Sequence, residues 1–309
     1  MVYGGRAIGR LLRSTVHQIG INTWAWVSPL TNTALARLAP RIKAWGFDAI
    51  ELPVESPGCW DPAFARDLLA DLGLTPTVCA GLRPEHDLLT DDDEVLHRTR
   101  EHVRHCVRAA KEIGSAVVAG PLYSPARRTW LMDREARNDT MARLTRRLRP
   151  LAEYAAEHGV TLAIEPLNRF ETSLINTVEQ AMEVVDGTPG LGIAVDTFHM
   201  NIEERDLAAA IRVAGPRLAH VQVCGNDRGV PGGDHLDWPH ILRALMDVGY
   251  SGALCIESFT AEALAVPMSV WRPLTDDPDR LAVAGLAFLR EQLAALRMSR
   301  PRHSADLRT

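Results

Sequence analysis

The sequence predicts an α/β fold, a single closed barrel of eight parallel strands with a helix after each, and three observations lead there. Short apolar runs alternate with helix-patterned stretches eight times along the chain. The runs are apolar throughout rather than alternately apolar and polar, as expected of parallel strands covered on the outside by helices. Four successive runs end in or near an oxygen-bearing side chain, Glu165, Asp196, Gln222 and Glu257. Eight strand-helix units are the number that closes a (β/α)8, or TIM, barrel.

Each unit has its own local justification. Ile19 to Trp26 reads as the first strand, followed by a helix over Thr31 to Trp45 that Gly46 ends. Phe47 to Leu52 is the second, closed by Pro53; a helix from Asp61 to Leu72 stops at Gly73, and Leu74 to Ala80 is the third. A long helix from Asp91 to Ile113 leads through Gly114 into Ser115–Gly120, the fourth. The helix carrying Leu144, Leu148, Leu151 and Ala155 precedes Thr161–Glu165, where a carboxylate stands as the apolar run stops and Pro166 turns the chain into a loop. A helix over Thr177 to Val185 and the turn at Pro189-Gly190 bring in Leu191–Asp196. Helix Glu203 to Val213 precedes Leu218–Val223, helix Pro239 to Val248 precedes Ala253–Glu257, and Leu286, Leu289, Leu293 and Leu296 mark a final helix. An open doubly wound sheet is the competing architecture, but Ile21-Asn-Thr-Trp24 has no glycine fingerprint to cradle a pyrophosphate. The expected organisation is an N-terminal extension over residues 1–18, one barrel over 19–297 and a disordered tail over 298–309.

Composition narrows the function. With 309 residues, 46% hydrophobic and 24% charged, a large core is available. A net charge of −5 argues against nucleic-acid binding, since phosphate contacts need clustered Lys and Arg. Arg143, Arg146, Arg147 and Arg149 do cluster, but at helical spacing with Met141, Leu144, Leu148 and Leu151, as on a solvated helix face. Five cysteines without paired short spacings suggest reduced thiols rather than a disulfide framework or a zinc knuckle. The chain shows no signal-peptide h-region and no long apolar run, so a soluble cytoplasmic protein without membrane contact is expected.

The strand ends carry the chemistry. Glu165, Asp196, Gln222 and Glu257 are separated by 31, 26 and 35 residues, about one strand-helix unit each, so they should converge on the barrel face where active sites are built. Three carboxylates in one mouth repel each other, and a divalent cation relieves that repulsion. An all-oxygen ligand set suits Mg2+ or Mn2+ better than zinc. His220, two residues before Gln222, faces the same side and is an alternative ligand or a supporting neighbour. Glu171, His199 and Arg228 follow ligands at short offsets and could hydrogen-bond a polyhydroxylated substrate. Trp24, Trp26 and Trp271 could wall a sugar ring, although Trp26 suits core packing equally, and Cys79 could line the pocket or lie inert in the core. No nucleophile elbow or Ser-His-Asp arrangement is visible.

With these residues in place, the chain resembles the xylose-isomerase-like TIM barrels grouped as sugar phosphate isomerases/epimerases, and within them the D-tagatose 3-epimerase and D-allulose (D-psicose) 3-epimerase group. The resemblance spans Ile19 to Leu293 and rests on Glu165-Pro-Leu-Asn-Arg-Phe-Glu171, Asp196-Thr-Phe-His-Met-Asn-Ile-Glu-Glu204, Asn226-Asp-Arg-Gly229 and Cys255-Ile-Glu-Ser-Phe259. It implies that Glu165 and Glu257 bind a metal and form the acid/base pair, that Asp196 is a ligand, and that Glu171, His199 and Arg228 hold substrate. It also implies a divalent cation, Mn2+ foremost with Mg2+ or Co2+ as alternatives, a small sugar substrate and a homo-oligomer, dimer or tetramer. The implied reaction is C3 deprotonation and reprotonation of a ketose through a cis-enediolate. One departure stands out: the group usually carries His-x-His on the seventh strand, whereas this chain has His220-Val-Gln222. Hydroxypyruvate isomerases of the same superfamily use glutamine there, which keeps an aldose-ketose or hydroxypyruvate-type isomerase open. An inosose-dehydratase or C-glycoside-cleaving lyase would share the same deprotonation. The superfamily's endonucleases need a histidine-rich multi-zinc centre and a basic face, and neither is present; a non-catalytic sugar-binding protein would not need both candidate bases.

Overall fold

The computed structural model describes residues 17–260, 264 and 268–298. Eight parallel strands close in sequence order into a barrel. They are β1 Ile19–Asn22, β2 Ala49–Pro53, β3 Thr75–Cys79, β4 Val117–Gly120, β5 Thr161–Ile164, β6 Leu191–Asp196, β7 Leu218–Val223 and β8 Leu254–Ile256. Around them lie α1 Asn32–Trp45, α2 Pro62–Leu72, α3 Asp93–Ile113, α4 Arg134–Glu157, α5 Val178–Asp186, α6 Thr197–Glu203, α7 Leu207–Ala214, α8 Trp238–Asp247 and α9 Pro278–Met298. The expected N-terminal extension and C-terminal tail lie outside the described residues, apart from His17, Gln18 and Met298.

Strand side chains alternate between two environments. Leu162 and Ile164 of β5 join the main core between barrel and helices, whereas Ala163 packs with Val117, Ala119 and Ala194 in a separate small-residue cluster inside the barrel. Ala49, Ala253 and Cys255 form a second interior cluster. The inward register therefore runs Ala163 to Glu165, Ala194 to Asp196, His220 to Gln222 and Cys255 to Glu257, placing the polar side chains one layer above small ones on β5, β6 and β8 and above His220 on β7. Gly20 belongs to this interior, where an added Cβ would lie 2.9 Å from Cys255 Sγ.

Two elements differ from the sequence reading. The first strand stops at Asn22 instead of running to Trp26, because the Asn22 side chain accepts the Trp24 N–H at 2.9 Å and caps a 3-10 turn over Thr23–Ala25. A helix not foreseen, α6, begins directly after β6, its first turn capped by Asp196, which accepts the Phe198 N–H at 2.9 Å. A depression of about 730 Å3 at the N-terminal end of the barrel reaches His220 from below but contains no carboxylate, so the chemistry lies at the other end.

Candidate active site

At the C-terminal ends of β5 to β8 the structure brings Glu165, Asp196, Gln222 and Glu257 together, each at most 5% exposed. Register explains part of this, since Gln222 of β7 pairs with Asp196 of β6 and Cys255 of β8. Glu165, Asp196 and His199 each offer an atom that could bind a metal ion, and these atoms all lie within 4.8 Å of one another. His199 owes its position to α6, which returns its ring over the mouth: Nε2 is 3.6 Å from Glu165 Oε1, and Nδ1 accepts the Asn168 N–H at 3.1 Å. Glu171 approaches the same imidazole at 3.9 Å and takes a 2.9 Å hydrogen bond from Asn168 Nδ2.

Arg228 is buried among these acids, at a positive φ of 72°. Its Nη1 donates to Asp196 Oδ2 and, at 2.8 Å, to Glu257 Oε2, while Nη2 lies 2.9 Å from His199 Nε2. The guanidinium sits between the rings of Phe198 and Phe259, 4.2 and 4.9 Å from their centroids. Glu165 and Glu257 thus meet at one end of the barrel and are linked through His199 and Arg228.

Burial dominates the electrostatics. It raises the Glu165 carboxyl well above its ordinary range, and the charges of Glu257 and Asp196 add to the effect. Burial likewise raises Glu257 well above that range, against the pull of Arg228 and with the push of Asp196. His199 is held neutral, its pKa lowered by burial and then by Arg228. Burial works against the Arg228 charge, but Asp196 and Glu257 outweigh it and the pKa rises.

The donor set fits a divalent cation. Of three carboxylates there, Asp196 and Glu257 pair with the one guanidinium and Glu165 does not, and Gln222 Oε1 is buried with no hydrogen-bond partner. An orphaned acceptor beside surplus negative charge is what a hard cation satisfies.

The other expected residues divide. Trp24 is half-buried and packs 5.6 Å from Phe259. Trp26 stacks on Trp45 and donates to Asp279 Oδ1 at 2.8 Å, in keeping with its packing role. Trp271 is 73% exposed. Cys79 is buried below the mouth, its sulfur accepting from Asn22 Nδ2 at 3.2 Å. His220 pairs with Glu51, Nε2 to Oε1 at 2.5 Å, instead of facing the mouth. Sequence patterning did not single out Glu51 or Asn22. The available signal was a carboxylate inside the otherwise apolar run Ala49–Leu52, which carries the same burial cost as Glu165.

Residues 39–292 match the model of the family described as xylose isomerase-like TIM barrel. The chain is 33% identical over 286 residues to an L-ribulose 3-epimerase of Mesorhizobium japonicum, covering 88% of this chain and 93% of that one. It is 34% identical over 269 residues to a D-psicose 3-epimerase of Enterocloster bolteae, covering 81% and 87%. Among solved structures, an L-ribulose 3-epimerase superposes with a TM-score of 0.86 at 31% identity, over 93% of this chain and 99% of that one.

Proposed function

Because the chain belongs to the xylose isomerase-like TIM barrel family, we propose that it is a divalent-metal-dependent ketose 3-epimerase. Its substrate is a free open-chain ketohexose of the D-tagatose, D-fructose or D-allulose type. The observation that carries this reading is the pair of buried carboxylates, Glu165 and Glu257, at the same end of the barrel and linked by His199 and Arg228. Inversion at a carbon needs a proton acceptor on one side and a proton donor on the other, and strands β5 and β8 supply one each. Burial and the neighbouring carboxylates raise both carboxyls above their ordinary range, the direction that favours holding and returning a proton.

One of the two glutamates takes the C3 proton and the other returns one to the opposite face. Arg228 steadies the negative charge that develops on oxygen, and its two flanking rings keep water from it. Glu171 and neutral His199 hold substrate hydroxyls at the reacting end. A cation held by Glu165, Asp196, Gln222 and Glu257, Mn2+ foremost and Mg2+ or Co2+ otherwise, would supply Lewis-acid polarisation of the C2 carbonyl. The reading includes one domain over residues 19–297, a dimer or tetramer, and a cytoplasmic setting in which the five free thiols stay reduced.

Glu165→Gln and Glu257→Gln should each lower 3-epimerisation by about 10²- to 10⁴-fold or more, assayed against a panel of ketoses in Mn2+ buffer. Near-normal turnover in either removes the acid/base assignment. Gln222 favours a second reading, an aldose-ketose or hydroxypyruvate-type isomerase. In D2O the epimerase places deuterium at C3 and forms no aldose; label at C1 or C2 with aldose formed replaces it by the isomerase.

A further inference from the structure

An amide has two ends of nearly the same shape, one that accepts hydrogen bonds and one that donates them. A glutamine that turns the wrong end to a cation offers it two N–H groups, so a Gln in a ligand position needs something to hold its orientation.

We propose that Glu51 is a positioning residue: it holds the nitrogen end of the Gln222 amide so that the oxygen end faces the active site. The inference rests on the reading of Gln222 as a metal ligand. Gln222 Nε2 lies 2.8 Å from Glu51 Oε2 and 2.6 Å from Glu257 Oε1. Both are carboxylate oxygens, so the end between them is the donor and the unpartnered Oε1 points away.

Glu257 cannot be the fixed point, because the proposed reaction changes its own protonation. Glu51 is better placed. It rises from β2, is fully buried, and each of its oxygens is taken: Oε1 by His220 at 2.5 Å and Thr77 at 3.3 Å, Oε2 by Asn22 at 2.7 Å as well as by Gln222. Asn22 is oriented in turn by the backbone, since its Oδ1 accepts the Trp24 N–H. A chain of hydrogen bonds therefore runs from the main chain after β1, through Asn22 and Glu51, to the Gln222 amide. His220 and Gln222 lie two residues apart on β7, so one carboxylate touches both, and His220-Val-Gln222 acts with Glu51 as one unit.

Mn2+ affinity, read from the EPR signal of free Mn2+ well below the unfolding temperature, tests this without recourse to turnover. Glu51→Gln replaces the lock with an amide that can itself turn. It should weaken Mn2+ binding by about 10- to 100-fold, as loss of a partner behind a ligand does. Gln222→Leu should weaken it as well, and the double variant should bind no more weakly than Gln222→Leu alone. The proposal is overturned if Glu51→Gln lowers thermal stability yet keeps wild-type affinity while Gln222→Leu loses it, or if the two losses multiply in the double variant. Unchanged binding in Gln222→Leu would instead remove Gln222 as a ligand, and with it the premise. Should Glu51→Gln not fold, Glu51→Asp keeps the charge but withdraws the carboxylate from Nε2, and the same comparison decides.

Discussion

Burial of single side chains governs how this protein responds to pH as well as what its site can do. His102 of α3 is 4% exposed and stacks at 4.5 Å on His86 of the preceding loop. Burial, then the charge of His86 and more weakly of His105 and Arg83, lowers its pKa to about 4, against a hydrogen bond to Gly81 that raises it. Below pH about 6.5 the unfolded chain binds a proton there that the folded chain refuses, so stability falls as pH drops from about 6.5 to 4 and levels below. The loss should reach about 3 kcal/mol for this group. Urea midpoints at pH 7 and pH 5 should separate more in the native chain than in His102→Gln; equal separations would show that His102 does not contribute. At this same scale the convergence of Glu165, Asp196, Gln222 and Glu257 was legible in the sequence, because a charged or amide group at the end of an apolar run needs a partner. Glu51 was not legible in the same way, because it lies within β2 rather than at its end and no spacing ties it to Gln222, 171 residues later in the chain.

Elements convert that residue chemistry into geometry through strand alternation and a few tight backbone contacts. Several strands read as uniformly apolar because inward positions such as Ala49, Ala119, Ala163, Ala194 and Cys255 are small, so there the period of two appears as small against large rather than as polar against apolar. The boundaries of β6 and β7 were legible to the residue, whereas α6 was not: Thr197–Glu203 is one short helix with little apolar repeat, and only Asp196 as its cap announced it. Gly120, the last residue of β4, shows how closely the sheet constrains the site. Its φ is +138°, and a Cβ there would stand 2.1 Å from the Ala80 carbonyl oxygen, while its own carbonyl accepts the Glu165 N–H at 3.1 Å. Gly120→Ala should cost about 1–3 kcal/mol from backbone strain alone, and moving this carbonyl should displace Glu165. A lowered urea midpoint together with lowered turnover is expected; a variant as stable and active as the parent would show that the strand end tolerates the shift.

For the molecule as a whole, the eight-fold repeat of strand and helix made the barrel readable, and a closed barrel leaves its strands no freedom about where their C-terminal ends meet. The consequence is electrostatic. Glu165, Asp196 and Glu257 are brought into one mouth with Arg228 as the balancing charge, so the folded chain holds surplus negative charge that the unfolded chain disperses. A divalent cation bound there would engage side chains from the ends of β5, β6, β7 and β8, a set assembled only in the native state. Binding to the native state alone stabilises by RT ln(1 + [L]/Kd), about 2.7 kcal/mol when the free ion is at 100 times its Kd. Dialysis against a chelator should therefore lower the unfolding temperature as well as abolish turnover, and Mn2+ should restore both. Gln222→Leu, which removes one of the four grips but none of the carboxylates, should show a smaller Mn2+-dependent rise at the same ion concentration. If chelated and Mn2+-loaded protein unfold at the same temperature, the strand ends hold no cation in the native state, and the negative charge gathered there is balanced by Arg228 and by protons on the glutamates.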